Sequence, residues 1–319
     1  MQTVDLRKVS ARQIEPLLVE EQKYWLDELH WDYRPSTQLI RKFVEGRSLT
    51  GCATIEDDVA TGYGFYVVEQ AKGLIGGLFV SPAHEQTPRA ATLLEGVVQC
   101  IHRNENVQRV ETQLMCFDSS LNGLLRDLGF ALFDRHFMLL PLREASSVAA
   151  PIPPGLRIER WDDRYFDLTA RLIHSAYEGH IDSDINDQYR SEAGALKFLK
   201  NIVILPGCGE FQPYASFVVR REGARSSDPL VAVILASTVS LGVGHVTQVC
   251  IVPEFRGEGL GLRLMEASMQ ALRSRRYHAL SLTVTARNEN AVRLYQRMGF
   301  HTLRTFTAAV WDAQNGNSD

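Results

Sequence analysis

Residues 246–261 read VTQVCIVPEFRGEGLG, and this stretch decides the fold of the chain. An apolar, β-rich run at its start stops at Pro253, and glycines follow at positions 257, 259 and 261. Apolar side chains then recur at helical spacing from Leu264 onward. The pattern predicts a strand, a glycine loop and a helix in direct succession.

Glycines at the start of a helix favour an anion-binding site. The backbone can turn tightly there and approach a ligand closely, and the first amides of the helix lack intrahelical partners. A pyrophosphate is the expected ligand. Two other phosphate-binding loops are excluded. Gly261 is followed by Leu262 and Arg263 rather than by Lys and Ser or Thr, and the glycines have G-x-G-x-G rather than G-x-G-x-x-G spacing.

The chain continues with a second apolar strand pattern at Leu280, Leu282 and Val284. The loop and the residues after this strand resemble the GNAT superfamily of N-acetyltransferases through Arg256-x-x-Gly259-x-Gly261, Asn288-x-x-Ala291-x-x-Leu294-Tyr295 and Gly299-Phe300. The resemblance covers the C-terminal half of the chain well and the N-terminal half as scaffold only. It implies acetyl-CoA as the acyl donor, with coenzyme A as the product.

The resemblance also implies which residues bind the donor. In the family, the loop amides hold the pyrophosphate of coenzyme A, and the Asn and Tyr after the next strand lie beside the pantetheine and the sulfur. Carried over to this chain, the predicted cofactor-binding residues are Ile251, Val252, Arg256, Gly257, Glu258, Gly259, Leu260, Gly261, Leu262, Asn288 and Tyr295.

Tyr295 and His245 are the predicted catalytic residues. A phenol with a pKa of about 10 suits the protonation of a leaving thiolate, and family members place a Tyr at the position of Tyr295. Packing at helical spacing is the alternative role for Tyr295, and a helix N-cap is the alternative for Asn288.

His245 is the predicted base, since imidazole accepts protons near neutral pH. A surface or packed residue is the alternative role for His245, and Glu254 at the mouth of the loop is the other candidate base. A backbone amide near Cys250 or Ile251 is expected to bind the oxyanion.

A polar segment from residue 177 to residue 189 lies between two helical patterns of the C-terminal half. In the GNAT superfamily such helices wall the acceptor site, and an acidic loop with aromatic edges suits a cationic amine. The predicted substrate-binding residues are Tyr177, His180, Asp182 and Tyr189. A solvated loop without a binding role is the alternative. No metal site is predicted.

The composition excludes several classes of protein. With 45% hydrophobic and 23% charged residues, the chain is typical of a soluble globular protein. Its net charge of -4 gives no indication of a basic surface that would bind nucleic acid. Neither a membrane-spanning run nor a signal peptide is predicted. Five cysteines without a C-x-x-C pair favour reduced thiols. We expect a cytoplasmic protein without nucleic-acid or membrane partners, and its oligomeric state stays open.

Two units of the same type are predicted. Residues 144–154 are small and proline-rich and indicate a linker between a first unit, residues 1–143, and a second unit, residues 155–319. A proline after a strand and a Gly-Phe pair recur at nearly the same separation in both units, which a duplication explains.

The first unit differs from the second where the chemistry is expected. A shift of the sequence by about 170 positions places Arg89 opposite Gly259, Asp118 opposite Asn288 and Leu125 opposite Tyr295. Pro88 also removes an amide from the loop. We therefore expect residues 1–143 to form a degenerate, non-catalytic unit. A second coenzyme A site with altered contacts is the alternative.

The predicted fold class is α/β (α+β), with two tandem GNAT-type units that each contain a mixed, twisted sheet flanked by helices. The resemblance implies an acetyl-CoA-dependent N-acetyltransferase that acts on a primary amine of a small molecule or peptide by direct transfer. The tandem chain is also similar to mycothiol synthases, which act on the amine of a thiol-sugar. A coenzyme A-binding regulatory protein without turnover is the other alternative.

Overall fold

The computed structural model describes residues 2–84, 86–145, 151–205, 208–225 and 227–313. The chain forms two compact units. Unit 1 consists of residues Met1–Arg135 and Arg304–Asp319, and unit 2 consists of His136–Leu303. Of the predicted linker, residues 146–150 lie outside the described residues.

The described residues form both strands and α-helices. The strands are β1 Gln2–Asp5, β2 Thr50–Glu56, β3 Val59–Glu69, β4 Lys72–Val80, β5 Arg109–Gln113, β6 Ala131–Pro141, β7 Leu156–Arg160, β8 Glu210–Phe211, β9 Phe217–Arg221, β10 Ala232–Ser240, β11 Val243–Ile251, β12 Ala279–Thr285 and β13 His301–Asp312. The α-helices are α1 Ala11–Leu29, α2 Arg34–Glu45, α3 Gln86–His102, α4 Asn122–Asp127, α5 Phe166–Tyr177, α6 Asp182–Ile185, α7 Glu192–Val203, α8 Leu260–Ser274 and α9 Glu289–Met298.

Each unit contains a mixed sheet. In unit 1 the strand order is β1-β2-β3-β4-β5-β13, with β4 parallel to β5 and the other neighbours antiparallel. In unit 2 the order is β6-β12-β11-β10-β9-β7, and β8 also pairs with β10. Strands β11 and β12 are parallel, whereas β10 is antiparallel to both β9 and β11. The predicted fold class is therefore confirmed.

The compact units differ from the predicted units 1–143 and 155–319 in two strands. The last strand of the chain, β13, pairs with β5 from Ala308 opposite Gln113 to Asp312 opposite Arg109, so residues from Arg304 onward belong to unit 1. Strand β6 adjoins β12, and its residues from His136 belong to unit 2. Both strands therefore belong mainly to the unit whose sheet they pair with, and their order in the chain does not decide this.

The pairing registers show that the two sheets are alike. The parallel pair in unit 1 starts with Lys72 opposite Arg109, and the parallel pair in unit 2 starts with Val243 opposite Ala279. Each central strand carries a bulge at the equivalent place. The register shifts leave one extra residue, Gly76 in β4 and Thr247 in β11. These shared irregularities agree with the predicted duplication.

Helices pack on the sheets through apolar cores. In unit 1, α3 contributes Leu93 and Val97 to one core, and α1 contributes Leu17 and Leu18 to another. In unit 2, one core joins α8 and α9 to β10–β12, and a second joins α5 and α7 to β9–β11. The sheet of unit 2 is thus covered by α8 and α9 on one face and by α5 and α7 on the other.

The predicted strand, helix and second strand around the glycine loop are present as β11, α8 and β12, whereas α2, β1 and β13 were not predicted from the pattern. In α2 the buried positions are only Thr37, Ile40 and Val44. Across the described parts of the chain, none of the helices combines the length and the apolar character needed to cross a membrane.

Glu21 is an acidic residue on the inward face of α1. Its side chain is 2% exposed, and its Oε2 accepts a hydrogen bond of 2.6 Å from the hydroxyl of Tyr63. Burial raises the pKa of Glu21 to about 7, because the ionised carboxylate loses its hydration, and the hydrogen bond from Tyr63 offsets only part of this effect.

We expect Glu21 to make the stability of unit 1 depend on pH. Its pKa is near 4.5 in the unfolded chain and about 7 in the folded one, so stability falls as the pH rises between these values. In Glu21→Gln this loss is absent. The free energy of unfolding of the variant, relative to that of the natural chain, should rise by on the order of 3 kcal/mol from pH 4 to pH 8.

Chemical denaturation at both pH values measures this difference. Glu20→Gln, at the exposed neighbouring position, is the matched control and should show no such change. A difference for Glu21→Gln that does not vary with pH would contradict the assignment.

Candidate active site

A cleft opens between β11 and β12 towards their carboxyl ends. Within residues 243–285, all of which the structure describes, the pairing of these strands ends with Val246 opposite Leu282. Strand β11 continues to Ile251 and β12 to Thr285. Beyond the last pair, the facing backbone groups of the two strands are not bonded to each other. The bulge at Thr247 lies directly after the last pair, and such bulges bend a strand and increase its twist.

The glycine loop closes one end of this cleft and leads into α8. Gly257 has φ of 84° and Gly259 has φ of 80°, a left-handed conformation that favours glycine. Gly259 is the N-cap of α8 and makes no side-chain cap. The first intrahelical bond runs from the amide of Arg263 to the carbonyl of Gly259. The amides of residues 260–262 therefore precede the helical ladder and can bind an anion.

Arg256 supports the loop. Its guanidinium donates hydrogen bonds to the carbonyl oxygens of Ile251 at 3.3 Å and of Ala176, at the end of α5, at 2.5 Å. Its own amide donates to Pro253 at 3.2 Å. The side chain and the amide of Arg256 are both engaged in holding the loop against the end of α5.

The remaining loop residues differ in what they can offer a ligand. The amide of Val252 donates to Val231, which keeps the end of β11 attached to β10. Leu260 is 1% exposed and belongs to the core beneath α8, and Leu262 packs against that core. Glu258 is exposed. Leu260 and Leu262 can therefore contribute only backbone groups, while their side chains fasten the start of the helix.

Gly261 has apolar neighbours on β11 and α9. A Cβ atom at this position would stand 3.4 Å from Cδ1 of Ile251 and 3.6 Å from Cδ2 of Leu294. These are ordinary contact distances. The first turn of α8 is thus flanked at Gly261 by apolar side chains of β11 and α9.

Asn288 and Tyr295 lie on the other side of the cleft, on α9. Asn288 is the N-cap of this helix, and its Oδ1 accepts from the amide of Ala291 at 3.4 Å. Tyr295 is 7% exposed. Burial, and secondarily the negative charge of Asp182, raise the pKa of Tyr295 well above its usual value. The phenol is therefore protonated and can donate a hydrogen bond.

The polar segment after α5 folds against this same end of the cleft. The hydroxyl of Thr285, the last residue of β12, donates to Oδ1 of Asp182. His180 lies between Asp182 and Asn288, with Nδ1 3.6 Å from Oδ2 of Asp182 and Nε2 3.4 Å from the amide nitrogen of Asn288. The predicted substrate-binding His180 thus contacts the predicted cofactor-binding Asn288 directly, and Asp182 contacts His180 on the other side.

Two tyrosine rings stack on each other next to these polar groups. The rings of Tyr177 and Tyr189 stack with centroids 4.3 Å apart and an interplanar angle of 15°. His180 meets the Tyr177 ring edge-on at 5.2 Å. The Tyr177 hydroxyl lies 3.4 Å from Oε1 of Gln248, to which it donates. All four predicted substrate-binding residues therefore belong to one cluster at the separated ends of β11 and β12.

His245 lies apart from this cluster. It stands in the paired part of β11, in register with Ser281, and is 7% exposed. Its Nδ1 is 2.9 Å from the hydroxyl of Ser281, and its ring stacks on Phe137 at 5.9 Å. Thr285 is four residues farther along β12 than Ser281, which corresponds to roughly 13 Å along an extended strand.

Two residues of the site were missed in the sequence analysis. Thr285 anchors Asp182, and Gln248 contacts Tyr177. Gln248 had a signal that could have identified it, because it is an uncharged polar residue inside the apolar run of β11. Among the residues that the structure describes, no group of three or more His, Cys, Asp and Glu side chains is arranged to hold a metal ion.

A comparison with known proteins covers the glycine loop, α9 and most of the segment after α5. Residues 181–300 match the sequence model of the Acetyltransferase (GNAT) family. A mycothiol acetyltransferase from Propionibacterium freudenreichii subsp. shermanii is 26% identical over 170 residues, which are 53% of this chain and 50% of that protein. The similarity thus spans about half the length of this curated relative.

Solved structures resemble the chain over nearly its whole length. A GCN5-related N-acetyltransferase from Sphaerobacter thermophilus has a TM-score of 0.63 at 15% identity, over 98% of this chain and 96% of that one. A tandem GNAT protein from the clavulanic acid biosynthesis pathway has a TM-score of 0.60 at 12% identity, over 100% and 99%. At such identities the likeness establishes the fold.

The bond between Thr285 and Asp182 should hold the segment after α5 in place. Thr285→Val keeps the shape of the side chain and removes the donor. We expect amide hydrogens of residues 180–186 to exchange about tenfold faster or more, because a hydrogen bond to a charged group contributes roughly 1.5–3 kcal/mol. Thr283→Val, on the same strand, is the control. Unchanged exchange in Thr285→Val would show that the segment is held by other contacts.

Proposed function

The chain belongs to the GNAT superfamily, with two GNAT-type units in tandem, and on this basis we propose that it transfers an acetyl group from acetyl-CoA to a primary amine of a small molecule or peptide. Transfer is direct, without a covalent enzyme intermediate. Unit 2 carries the activity. The family as a whole uses acetyl-CoA as its co-substrate.

One observation carries this proposal. The glycine loop, the start of α9 and the segment after α5 all meet at the separated ends of β11 and β12. The loop offers amides without helical partners around Gly259, α9 offers Asn288 and Tyr295, and the segment offers Asp182. A donor and an acceptor bound by these groups would meet within one cleft, as bimolecular transfer requires.

The residues of the cleft suit acetyl-CoA. The amides of residues 257–262 would hold the pyrophosphate, with the dipole of α8 behind them. Ile251 and Val252 would line the pantetheine arm, and the amide group of Asn288 would donate to one of its carbonyl groups. Arg256 keeps the loop in place through its bonds to Ile251 and Ala176. Bound acetyl-CoA would supply the activated acyl carbon.

Tyr295 and His245 have the proposed catalytic roles. When the amine nitrogen bonds to the acyl carbon and the carbon–sulfur bond breaks, the proton of the Tyr295 hydroxyl goes to the sulfur. The raised pKa of Tyr295 keeps that proton in place until the thiolate forms. His245 is the proposed final acceptor of the amine proton. It precedes the last paired residue of β11 and lies apart from the acceptor cluster, so the proton would reach it through intervening water molecules.

The acceptor site consists of Tyr177, His180, Asp182 and Tyr189. The Asp182 carboxylate would attract the acceptor in its ammonium form, which then loses a proton to become the reactive amine. The stacked tyrosines would exclude water from one side of the acceptor site. The similarity to a mycothiol acetyltransferase favours, as a second candidate acceptor, the amine of a thiol-sugar.

Unit 1 is proposed to be non-catalytic. Arg89, opposite Gly259 in the duplication, forms an ion pair of 2.9 Å with Glu56. Leu125, opposite Tyr295, is fully buried in the core. At the bulge of β4, a Cβ atom on Gly76 would stand 2.4 Å from the ring of Phe65, so this ring covers the bulge. The groups that would bind and activate the donor are replaced by packing and ion pairing.

Calorimetric titration with acetyl-CoA tests the donor site. We expect one site per chain. Gly259→Asp should bind at least about tenfold more weakly than Gly259→Asn, because the carboxylate repels the pyrophosphate, while the two side chains have the same shape and both tolerate positive φ. Two sites per chain would overturn the role given to unit 1. Equal affinities of the two variants would argue against the amide cradle, and the absence of binding would remove the enzymatic proposal.

The role of Tyr295 is tested by Tyr295→Phe. The variant should lose about 100-fold in turnover, since a positioned acid contributes roughly 10²–10⁴-fold, with acetyl-CoA affinity changed less than about threefold. Tyr277→Phe, which removes a hydroxyl bonded to Thr238 elsewhere in unit 2, is the matched control. Steady-state turnover and calorimetry measure the two quantities, and a parallel loss in both would remove Tyr295 from the mechanism.

A further inference from the structure

Gln248 lies at the point where β11 and β12 begin to separate. It follows the bulge residue Thr247 and is two residues beyond the last pair with β12. Its register partner on β10 is Leu235, which belongs to the core on the α5 and α7 face of the sheet. The side chain of Gln248 therefore faces the segment that carries the acceptor cluster, and its contact with Tyr177 agrees with this direction.

The amide group of Gln248 is satisfied at one end only. The residue is 5% exposed. Its oxygen accepts from the Tyr177 hydroxyl at 3.4 Å, whereas its Nε2 is buried without a hydrogen-bond partner among the described residues. A buried donor left unpaired costs about 1–3 kcal/mol, and most buried polar groups have partners. The two hydrogens of Nε2 therefore lack an acceptor within the described parts of the chain and can be donated to a ligand.

The position of this donor relative to Asp182 restricts the acceptor substrate. The hydroxyl of Tyr177 contacts Gln248, and the ring of Tyr177 meets the imidazole of His180. Nδ1 of that imidazole is 3.6 Å from Oδ2 of Asp182, so the amide of Gln248 and the carboxylate of Asp182 are linked through the Tyr177–His180 pair. A molecule whose ammonium group approaches Asp182 would place a neighbouring oxygen atom, a few bonds away, against Nε2 of Gln248.

We propose that Gln248 is a specificity-determining residue that donates a hydrogen bond to an oxygen atom of the acceptor. The substrate class is a primary amine with a carbonyl or hydroxyl oxygen on the neighbouring carbon, as in α-amino amides and 2-amino sugars. Simple alkyl or aryl amines lack this oxygen and leave Nε2 unpaired. The inference rests on the proposed function and adds the feature by which the site selects among amines.

The test compares amines that differ in the neighbouring oxygen. One pair is L-phenylalaninamide and 2-phenylethylamine, and the other is glucosamine and cyclohexylamine. For the natural chain, kcat/KM should favour the oxygen-bearing member of at least one pair by about tenfold or more. The pair with the larger preference distinguishes a carbonyl acceptor from a hydroxyl acceptor.

Two variants then remove the donor in different ways. Gln248→Met keeps a side chain of similar length without polar atoms, and Gln248→Glu keeps the oxygen that accepts from Tyr177. Each should reduce the preference ratio to within about threefold of unity. A change in the ratio reports on the substitution, because the basicity of each amine is the same in the assays of the natural chain and of the variants. Gln270→Met, at an exposed position of α8, is the matched control and should leave the ratio unchanged.

The same ratios are measured by calorimetric binding of the amines to the protein saturated with coenzyme A, which does not depend on turnover. If no amine is acetylated but the binding ratio falls in both variants, the proposed function fails and the role of Gln248 stands. If amines are acetylated and bound with the same ratio in both variants as in the natural chain, Nε2 is satisfied by an internal water, and the inference is overturned.

Discussion

The separation of β11 from β12 is the constraint on which the rest of unit 2 depends. The two strands are paired over their first residues and unpaired after Val246 and Leu282, while the far edge of β11 stays bonded to β10 as far as Val252. One strand edge whose backbone groups are not paired with β12 is therefore held inside a sheet. Such an edge is normally a liability, because it binds other extended chains. Here it faces a cleft that a glycine loop and a helix start complete.

The segment between α5 and α7 brings polar and aromatic side chains to the cleft. A single bond from Thr285 to Asp182, together with the contacts of His180, fastens a polar segment to the ends of β12 and α9. The carboxylate then lies close enough to Tyr295 to affect its titration. Groups suited to an anionic donor and groups suited to a cationic acceptor thus share one edge of the sheet. Their proximity is a property of the tertiary structure, since about 100 residues of chain separate Asp182 from Thr285.

The two units share a scaffold but differ in the side chains at the place of the candidate active site. Both have a short parallel pair in the centre of the sheet and a bulge after it. In unit 1, however, the helix start carries Arg89, whose ion pair with Glu56 occupies the guanidinium, and Phe65 lies against the bulge. The backbone geometry needed for the fold is the same in both. The differences are in side chains that either leave the cleft open or fill it.

Much of this architecture followed from local patterns. Strand, glycine loop and helix could be predicted from residues 246–272, because periodicity and glycine placement act through neighbouring residues. The helix cap at Asn288 and the buried face of α9 with Tyr295 could be predicted in the same way. The four residues predicted to bind the acceptor came from two sources, the acidic and aromatic composition of the segment and the family resemblance, which implies that the flanking helices wall the acceptor site.

The sequence by itself determined where the chain turns, which faces are apolar and which loop can bind an anion, since these depend on residues close in the chain. The tertiary structure alone decided that β13 completes the sheet of unit 1 and that His245 is enclosed by Ser281 and Phe137. It also decided that Nε2 of Gln248 has no acceptor among the residues that the structure describes. Each of these depends on partners distant in sequence. A pattern shows that a side chain is polar or apolar, but whether its hydrogen bonds are satisfied is settled only when the strands and helices around it have packed.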